Sequence, residues 1–435
     1  MRRSAVQPRS AQTSAAQKKK GWLAKIGPGL ITGASDDDPS GIATYSQVGS
    51  QFGLAMLWTM LFSYPLMGGI QEISARVGLV TGRGLAGNLR KHFPRGILYG
   101  VVALLLLANT INIAADIGAM AAALHLVVGG PLLAYTVGFG LLCVGLQVFI
   151  SYRRYVPYLK WLCMALLAYV GILFVVKIPW IGVLEATFLP RLQLSRASLT
   201  AVVAIFGTTI SPYLFFWQAS EEVEEQRANP GESPLKGAPE QGKQQLGRMQ
   251  SDTWIGMAFS NLVAFFIILT AAVVLHAHGI QDIQTSTQAA EALRPVAGRF
   301  AFLLFSLGVI GTGLLAVPVL AGSSAYAVGE SRRWSVGLEK TPLAAWRFYA
   351  VIVVSTLVGV LLNAIHLDPV KALFWSAVVN GVVAAPIMVM IMLLASRRKV
   401  MGSFKLPRRL QILGWTATFV MAAVTVAMFA TLLAP

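Results

Sequence analysis

Three consecutive carboxylates, Asp36, Asp37 and Asp38, lie in a stretch that is otherwise apolar enough to enter a membrane. A charge at bilayer depth costs at least about 2.5–3.5 kcal/mol on insertion scales, so such side chains face a partner or a wet cavity. Pro39 follows and removes a backbone donor, and Ser40-Gly41 disfavours continued helix. The pattern therefore predicts a helix interrupted at mid-membrane, where carboxylates and free carbonyl oxygens could hold a cation.

A second proline with similar neighbours interrupts a later apolar run. Pro212 lies between Ser211 and Tyr213, and Thr208 and Thr209 precede it. Small hydroxyl side chains can satisfy the backbone groups that a proline frees. The two prolines fall in the first and sixth predicted spans, so two halves of five spans would have opposite membrane orientations. Paired interrupted helices in two such halves indicate a binding site near the bilayer midplane.

The elements that must position these residues are long apolar helices. The 435 residues are 56% hydrophobic and 12% charged, with a mean hydropathy of +0.66, which excludes an ordinary soluble domain and favours a polytopic helical membrane protein. Eleven spans are predicted, with approximate limits 24–50 (broken), 54–80, 97–127, 132–151, 157–177, 197–220 (broken), 252–276, 300–328, 346–363, 371–396 and 411–433.

The basic residues indicate how the spans are oriented. The net charge is +17, but the Lys and Arg residues lie in short loops between apolar runs, which argues against nucleic acid as a partner. A cytoplasmic N-terminus places most of them inside, and an odd number of spans then leaves the C-terminus extracellular. We expect a multi-pass protein of the cell membrane, with a disordered basic tail (1–22) and a mobile cytoplasmic loop (221–251). Glu221 and Glu222 open that loop and could concentrate cations at an inner vestibule.

At the two breaks the chain resembles the NRAMP family of divalent-metal transporters. The family's Asp-Pro-Gly-Asn motif is matched by Asp38-Pro39-Ser40-Gly41, and its Met-Pro-His motif by Ser211-Pro212-Tyr213. The resemblance extends from Gly27-Pro-Gly29 through the tenth span. It implies an all-α integral membrane protein with the LeuT-type inverted repeat, five plus five helices with broken first and sixth helices, and an eleventh helix. The repeats would be 23–180 and 190–396, followed by a basic loop and the last span in 397–435.

The resemblance also implies a set of residues around a transported metal ion. The family's metal-binding aspartate corresponds to Asp38, its asparagine ligand to Gly41 and its methionine ligand to Ser211. A sixth-span backbone carbonyl used by the family maps near Thr208, and its histidine corresponds to Tyr213. The metal would be the substrate, and no cofactor is expected.

The third span departs from proton-coupled members of the family. Their Asp-Leu-Ala-Glu run is matched by Asn112-Ile113-Ala114-Ala115, so both acids are missing, although Asp116 follows. Together with the lost methionine ligand, this resembles the NRAMP-related magnesium transporter branch. It implies transport of Mg²⁺, and also of Mn²⁺, without proton coupling. Asp116, Asn112 and Asp36 could still line an ion or proton path.

The chemistry of the two breaks favours a hard cation independently. Carboxylate, carbonyl and water ligands suit Mg²⁺ and Mn²⁺, whereas thioethers select softer ions. Residues 32–45 and 207–213 contain no Met, His or Cys. Mg²⁺ keeps several waters beside one or two carboxylates. We expect Asp38 to contact the ion directly or through water, with Asp37 or Asp36 in a neighbouring shell, because successive helical residues point about 100° apart.

Three alternatives remain open at this point. A proton-coupled symporter of Mn²⁺ or other transition metals could use Asp116 or Asp37 as its relay. An amino-acid carrier of the same fold is disfavoured because three aspartates would repel the carboxylate of its substrate. A membrane enzyme is disfavoured because no Gly-x-Ser-x-Gly, His-Glu-x-x-His or Walker motif is present. The expected partners are the divalent ion and the lipid bilayer, and a monomer suffices.

Overall fold

The computed structural model describes residues 28–433 apart from 151–153, 155–157, 160–163, 192 and 366–367. The tail predicted over 1–22 and residues 157 and 160–163 of the fifth predicted span therefore lie outside the described residues. The part of the chain that is described consists of helices and connections, with no strand. The α-helices, numbered along the chain, are α1 (Pro28–Asp36), α2 (Pro39–Phe52), α3 (Trp58–Thr81), α4 (Leu85–His92), α5 (Arg95–Val128), α6 (Leu132–Phe149), α7 (Ala168–Val175), α8 (Trp180–Phe188), α9 (Arg196–Thr209), α10 (Pro212–Ala228), α11 (Gly242–Val274), α12 (Ser286–Glu291), α13 (Arg294–Ala297), α14 (Ala301–Arg332), α15 (Trp346–Leu362), α16 (Pro369–Ala395), α17 (Arg398–Met401) and α18 (Arg408–Leu433). Short 3-10 helices cover Gly53–Met56, Met164–Leu167, Pro239–Gln241, His276–His278, Gly298–Phe300 and Asn363–Ile365.

The first predicted break lies between α1 and α2. α1 ends at Asp36, and α2 begins at Pro39, where the missing N–H of proline costs nothing because first-turn donors have no helical partner. Asp38 is the N-cap residue, with extended backbone angles (φ −69°, ψ 171°), and its side chain accepts a hydrogen bond from the Gly41 N–H. The residues that interrupt the helix therefore also start the next one.

The second predicted break lies between α9 and α10. α9 ends at Thr209, and Pro212 is the first residue of α10. The Ser211 hydroxyl lies 2.8 Å from the Gly207 carbonyl oxygen and 2.6 Å from that of Thr208. It can therefore donate to either of two carbonyls that lose their helical partners at the end of α9. Both interruptions that the sequence predicts are confirmed.

The two interrupted helices lie in the centre of the helix bundle. α1 and α2 both pack along α11, and α9 packs on α16. Gly207 of α9 faces the Ala377 carbonyl of α16 so closely that a Cβ atom would clash with that backbone. The contact of α5 with α14 forms the other large packing surface. The breaks are therefore surrounded by other helices rather than by lipid.

The helices account for most of the predicted spans. Seven helical segments of the described residues are long and apolar enough to cross a membrane. The chain bends by 108° between α2 and α3, which the short helix Gly53–Met56 joins. If this bent pair forms one span, the number is eight. Two shorter apolar helices, Met164–Val175 and Trp346–Leu362, lie where the fifth and ninth spans are predicted. The count of eleven, the two repeats and the orientation of the termini stay predictions.

The prediction of a mobile loop over 221–251 is wrong. Glu221–Ala228 continue α10, the first turns of α11 cover 242–251, and 229–241 alone joins them. The acidic end of α10 is stabilised by tertiary contacts, since the Tyr326 hydroxyl lies 3.1 Å from Glu221 and 2.7 Å from Glu224. The hydroxyl can donate to one of these two carboxylates at a time, and the helix continues beyond both of them to Ala228.

Candidate cation site

Asp38 is the most completely hydrogen-bonded carboxylate at the breaks. Its Oδ1 accepts from the Gly41 N–H at 2.7 Å and from the Ser40 hydroxyl at 2.8 Å, and its Oδ2 accepts from the Asn112 amide of α5 at 3.0 Å. The first two bonds belong to an ordinary helix cap, but the third links α2 to another span. A carboxylate has about four acceptor positions, so capacity for a cation remains. The helix N-terminus also favours negative charge there.

Asp36 and Asp37 face α11 instead. The Ser260 hydroxyl lies 2.5 Å from Asp36 Oδ2 and 3.2 Å from Asp37 Oδ1. One hydroxyl has one hydrogen, so it cannot donate to both carboxylates at once. Asp36 Oδ1 is buried and has no hydrogen-bond partner among the described residues. The pair therefore has more acceptor capacity than the surrounding protein fills.

A fourth carboxylate, Asp116, comes from α5. It lies one helical turn beyond Asn112 and interacts electrostatically with Asp38 and with the Ser40 backbone N–H. Asp116 is fully buried, and neither of its oxygens completes a hydrogen bond of good geometry with the described residues. The side-chain amide oxygen of Asn112 (Oδ1) also has no hydrogen-bond partner among the described residues. Buried polar atoms of this kind need a water or an ion to satisfy them.

The sixth-span residues connect the two interrupted helices to each other. The Thr208 hydroxyl donates to the Tyr45 hydroxyl of α2 at 2.8 Å, and the Tyr213 hydroxyl donates to the Ser35 carbonyl of α1 at 3.1 Å. Tyr213 also lies close enough to Asp38 to interact with it electrostatically. The structure thus brings the sixth-span residues and the aspartates into one buried region.

Some predicted residues do not supply side-chain ligands. Gly41 gives only its N–H, which binds Asp38. Glu221 and Glu222 lie about 15 Å along α10 from Ser211 at 1.5 Å per residue, and both are buried. Glu222 lies 4.0 Å from Arg248. Within the described residues no three His, Cys, Asp or Glu side chains form a cluster that could hold a metal by themselves. An ion here would also need amide, hydroxyl or water oxygens.

Two residues of the site were not identified from the sequence. Ser260 sits in the middle of the seventh span, where the polar pair Ser260-Asn261 is the one local signal. Tyr45 is fully buried and lies two turns beyond Asp38 on α2. A serine or a tyrosine in an apolar span is usually an ordinary packed side chain, so the sequence alone could not assign these two residues to the site.

The chain is similar to known proteins in sequence and in fold. A sequence model of the family described as "Natural resistance-associated macrophage protein-like" (Nramp) matches residues 29–431. The chain belongs to the Nramp family. Among relatives, it is 27% identical over 417 residues to the divalent metal cation transporter MntH of Klebsiella pneumoniae strain 342, covering 93% of each chain.

Solved structures show the same fold for this Nramp protein. The crystal structure of an Eremococcus coleocola manganese transporter, bound to an aromatic bis-isothiourea substituted compound, has a TM-score of 0.73 at 18% identity and covers 94% of this chain and 87% of that one. MhsT in complex with L-phenylalanine has a TM-score of 0.59 at 14% identity, covering 93% and 98%. The predicted all-α, LeuT-type fold is confirmed.

Family membership settles several broader predictions. The Nramp protein is a multi-pass membrane protein, and the relatives named above are transporters rather than enzymes. The names of MntH and of the Eremococcus coleocola transporter refer to a metal that is the transported ion rather than a resident cofactor. The resemblance stated from the two motifs is therefore confirmed at the level of the family.

Proposed function

We propose that this Nramp protein imports Mg²⁺, and also Mn²⁺, by alternating access without proton coupling. The observation that carries the proposal is the donor set at the breaks. In the described part of the chain, Asp36, Asp37 and Asp38 accept hydrogen bonds from the side chains of Ser40, Asn112 and Ser260, and none of these three is a thioether, a thiol or an imidazole. A site built from hard oxygen donors suits Mg²⁺ and Mn²⁺ better than softer metals.

The charge of the buried region supports a divalent cation. Asp36, Asp37, Asp38 and Asp116 are each at most 2% exposed. In the described part of the chain no Lys, Arg or His forms an ion pair with any of them. Buried charges of one sign need a counter-charge, which a transported cation would supply during each cycle.

The unpartnered oxygens support an ion that keeps part of its water. Free acceptors remain on Asp36, Asn112 and Asp116, and they belong to two different helices. Mg²⁺ dehydrates reluctantly and binds through one or two carboxylates with retained waters, which could reach such dispersed acceptors.

One observation favours a second candidate function. Asp116 is a buried carboxylate in the third span, which is the kind of group that relays protons in a symporter of Mn²⁺ or other transition metals. The absence of acids from Asn112-Ile113-Ala114-Ala115 favours the uncoupled transporter.

Transport in liposomes tests the proposal. The purified protein is reconstituted with a Mg²⁺ indicator, a Mn²⁺ indicator or a pH indicator inside. We expect both metals to enter when the membrane potential is negative inside, with no accompanying change in internal pH. Protein-free liposomes give the leak of each ion. Acidification that begins with Mn²⁺ entry would support the symporter instead, and entry of neither metal would reject the proposed function.

Replacement of Asp116 by Asn should lower Mg²⁺ uptake about tenfold, because loss of a supporting ligand costs roughly 10–100-fold in metal affinity. The amide keeps the volume of the side chain and removes its charge. The concentration dependence of Mg²⁺ entry measures the effect. Asp282→Asn is the matched control, since Asp282 is exposed and accepts hydrogen bonds from Gln47 and Gln284. Equal uptake by the two variants would exclude Asp116 from the ion site.

A further inference from the structure

A groove on the outer surface of the bundle shares none of its lining residues with the cation site. It runs between α5, α14 and α15 and encloses about 480 Å³. Its walls are mainly apolar, with Leu106, Val328, Val351, Val354 and Val358 among the lining residues. From Trp346 to Val358 the groove follows α15 for about 18 Å at 1.5 Å per residue. Because the protein spans a membrane, an apolar groove of this length on its outer surface faces the acyl chains of lipids.

One end of the groove is lined by aromatic and basic side chains. Arg347 lies over the Trp346 ring at 5.2 Å and over the Trp334 ring at 5.7 Å, and all three residues line the groove. Tryptophan is enriched at the level of lipid headgroups, where its apolar ring and N–H meet both environments. This end of the groove therefore lies at the membrane–water interface.

The same interface is basic. Arg332 and Arg333 end α14, close in sequence to the start of α15, and Arg332 lies over the Tyr99 ring at 5.2 Å. Among the described residues, none of Arg332, Arg333 and Arg347 forms an ion pair with a carboxylate. A guanidinium forms strong, bidentate hydrogen bonds with phosphate, and basic pockets between spans bind anionic headgroups.

We propose that this groove binds an anionic glycerophospholipid, with one acyl chain against Val351, Val354 and Val358 and the phosphate at Arg347. The apolar walls of the groove favour contact with the acyl chain. The basic residues at the interface favour an anionic headgroup over a zwitterionic one. None of the residues that line the groove belongs to either helix break, and the proposal does not depend on which ion the protein carries.

Lipid retention tests this proposal with two variants at opposite ends of the groove. The protein is reconstituted in a mixture of phosphatidylcholine and phosphatidylglycerol, extracted gently, and examined by native mass spectrometry. We expect wild-type protein to retain phosphatidylglycerol preferentially. Arg347→Gln should reduce that retention about fivefold, because one basic residue near the surface contributes about that factor. Val354→Trp should also reduce it by filling the groove, whereas Arg347→Lys should retain most of the effect.

Two matched controls separate the groove from general surface effects. Arg299 lies over the Phe300 ring at 5.0 Å near the opposite end of α14, so Arg299→Gln removes a similar exposed guanidinium. Val426 is 67% exposed on α18, comparable with 58% for Val354, so Val426→Trp adds the same bulk elsewhere. Equal retention by Arg347→Gln and Arg299→Gln, or equal retention of the two lipids, would overturn the proposal. A change of oligomeric mass in Val354→Trp would assign the groove to a second copy of the chain and overturn it as well.

Discussion

Uptake of Mg²⁺ and Mn²⁺ is expected to fall at least about 100-fold when Asp38 is replaced by Asn. Asn caps helices as well as Asp does, so α2 should still begin at Pro39. The charge, however, is lost, and with it the carboxylate that binds both α2 and Asn112. Since loss of a supporting residue alone costs roughly 10–100-fold in metal affinity, loss of a direct ligand should cost at least the upper value. Initial rates of metal entry into proteoliposomes measure the effect.

The control for this variant is another capping aspartate. Asp368 is the N-cap residue of α16 and accepts hydrogen bonds from the N–H groups of Val370 at 2.9 Å and Lys371 at 3.4 Å. Asp368→Asn makes the same chemical change at a helix start, but it does so away from the breaks. Uptake by this variant should match wild type, and both variants should unfold at nearly the wild-type temperature. If Asp38→Asn also transports normally, Asp38 is a helix cap and not a ligand.

The breaks could be predicted from sequence because their causes are local. Pro39 and Pro212 lack the N–H that a continuing helix needs. The Ser211 hydroxyl donates a hydrogen bond to a carbonyl left free at the end of α9. The end of α10 could not be predicted in this way. Its acidic residues are stabilised by Tyr326 of α14, about 100 residues later in the chain, and no local pattern shows that contact.

The candidate site also combines features with local causes, which the sequence shows, and contacts between distant residues, which it does not show. A run of aspartates in an apolar span indicates a site. In the structure Asp36 and Asp37 face α11, while Asp38 contacts α5. The partner on α11 could not be predicted. Which face of a uniformly apolar helix points inward depends on packing, so Ser260 became identifiable only when α1 and α11 were placed together.

Ser211→Met is expected to shift selectivity towards soft ions. The Ser211 hydroxyl lies against the Gly207 and Thr208 carbonyls at the second break, so a longer side chain at this position starts from the break. A thioether is a poor ligand for Mg²⁺ and a good one for Cd²⁺. Competition by Cd²⁺ against Mn²⁺ uptake should therefore become stronger by about tenfold, whereas competition by Mg²⁺ should weaken.

Ser211→Ala distinguishes the added sulfur from the lost hydroxyl. Both substitutions release the Gly207 and Thr208 carbonyls, so any change that comes from the freed backbone should occur in both variants. Only the methionine supplies a soft donor. If Cd²⁺ competes equally in the two variants, Ser211 does not face the ion. If Cd²⁺ competition strengthens in Ser211→Met alone, the ion passes next to the second break, and the serine at this position is part of the reason that the wild-type site favours hard cations.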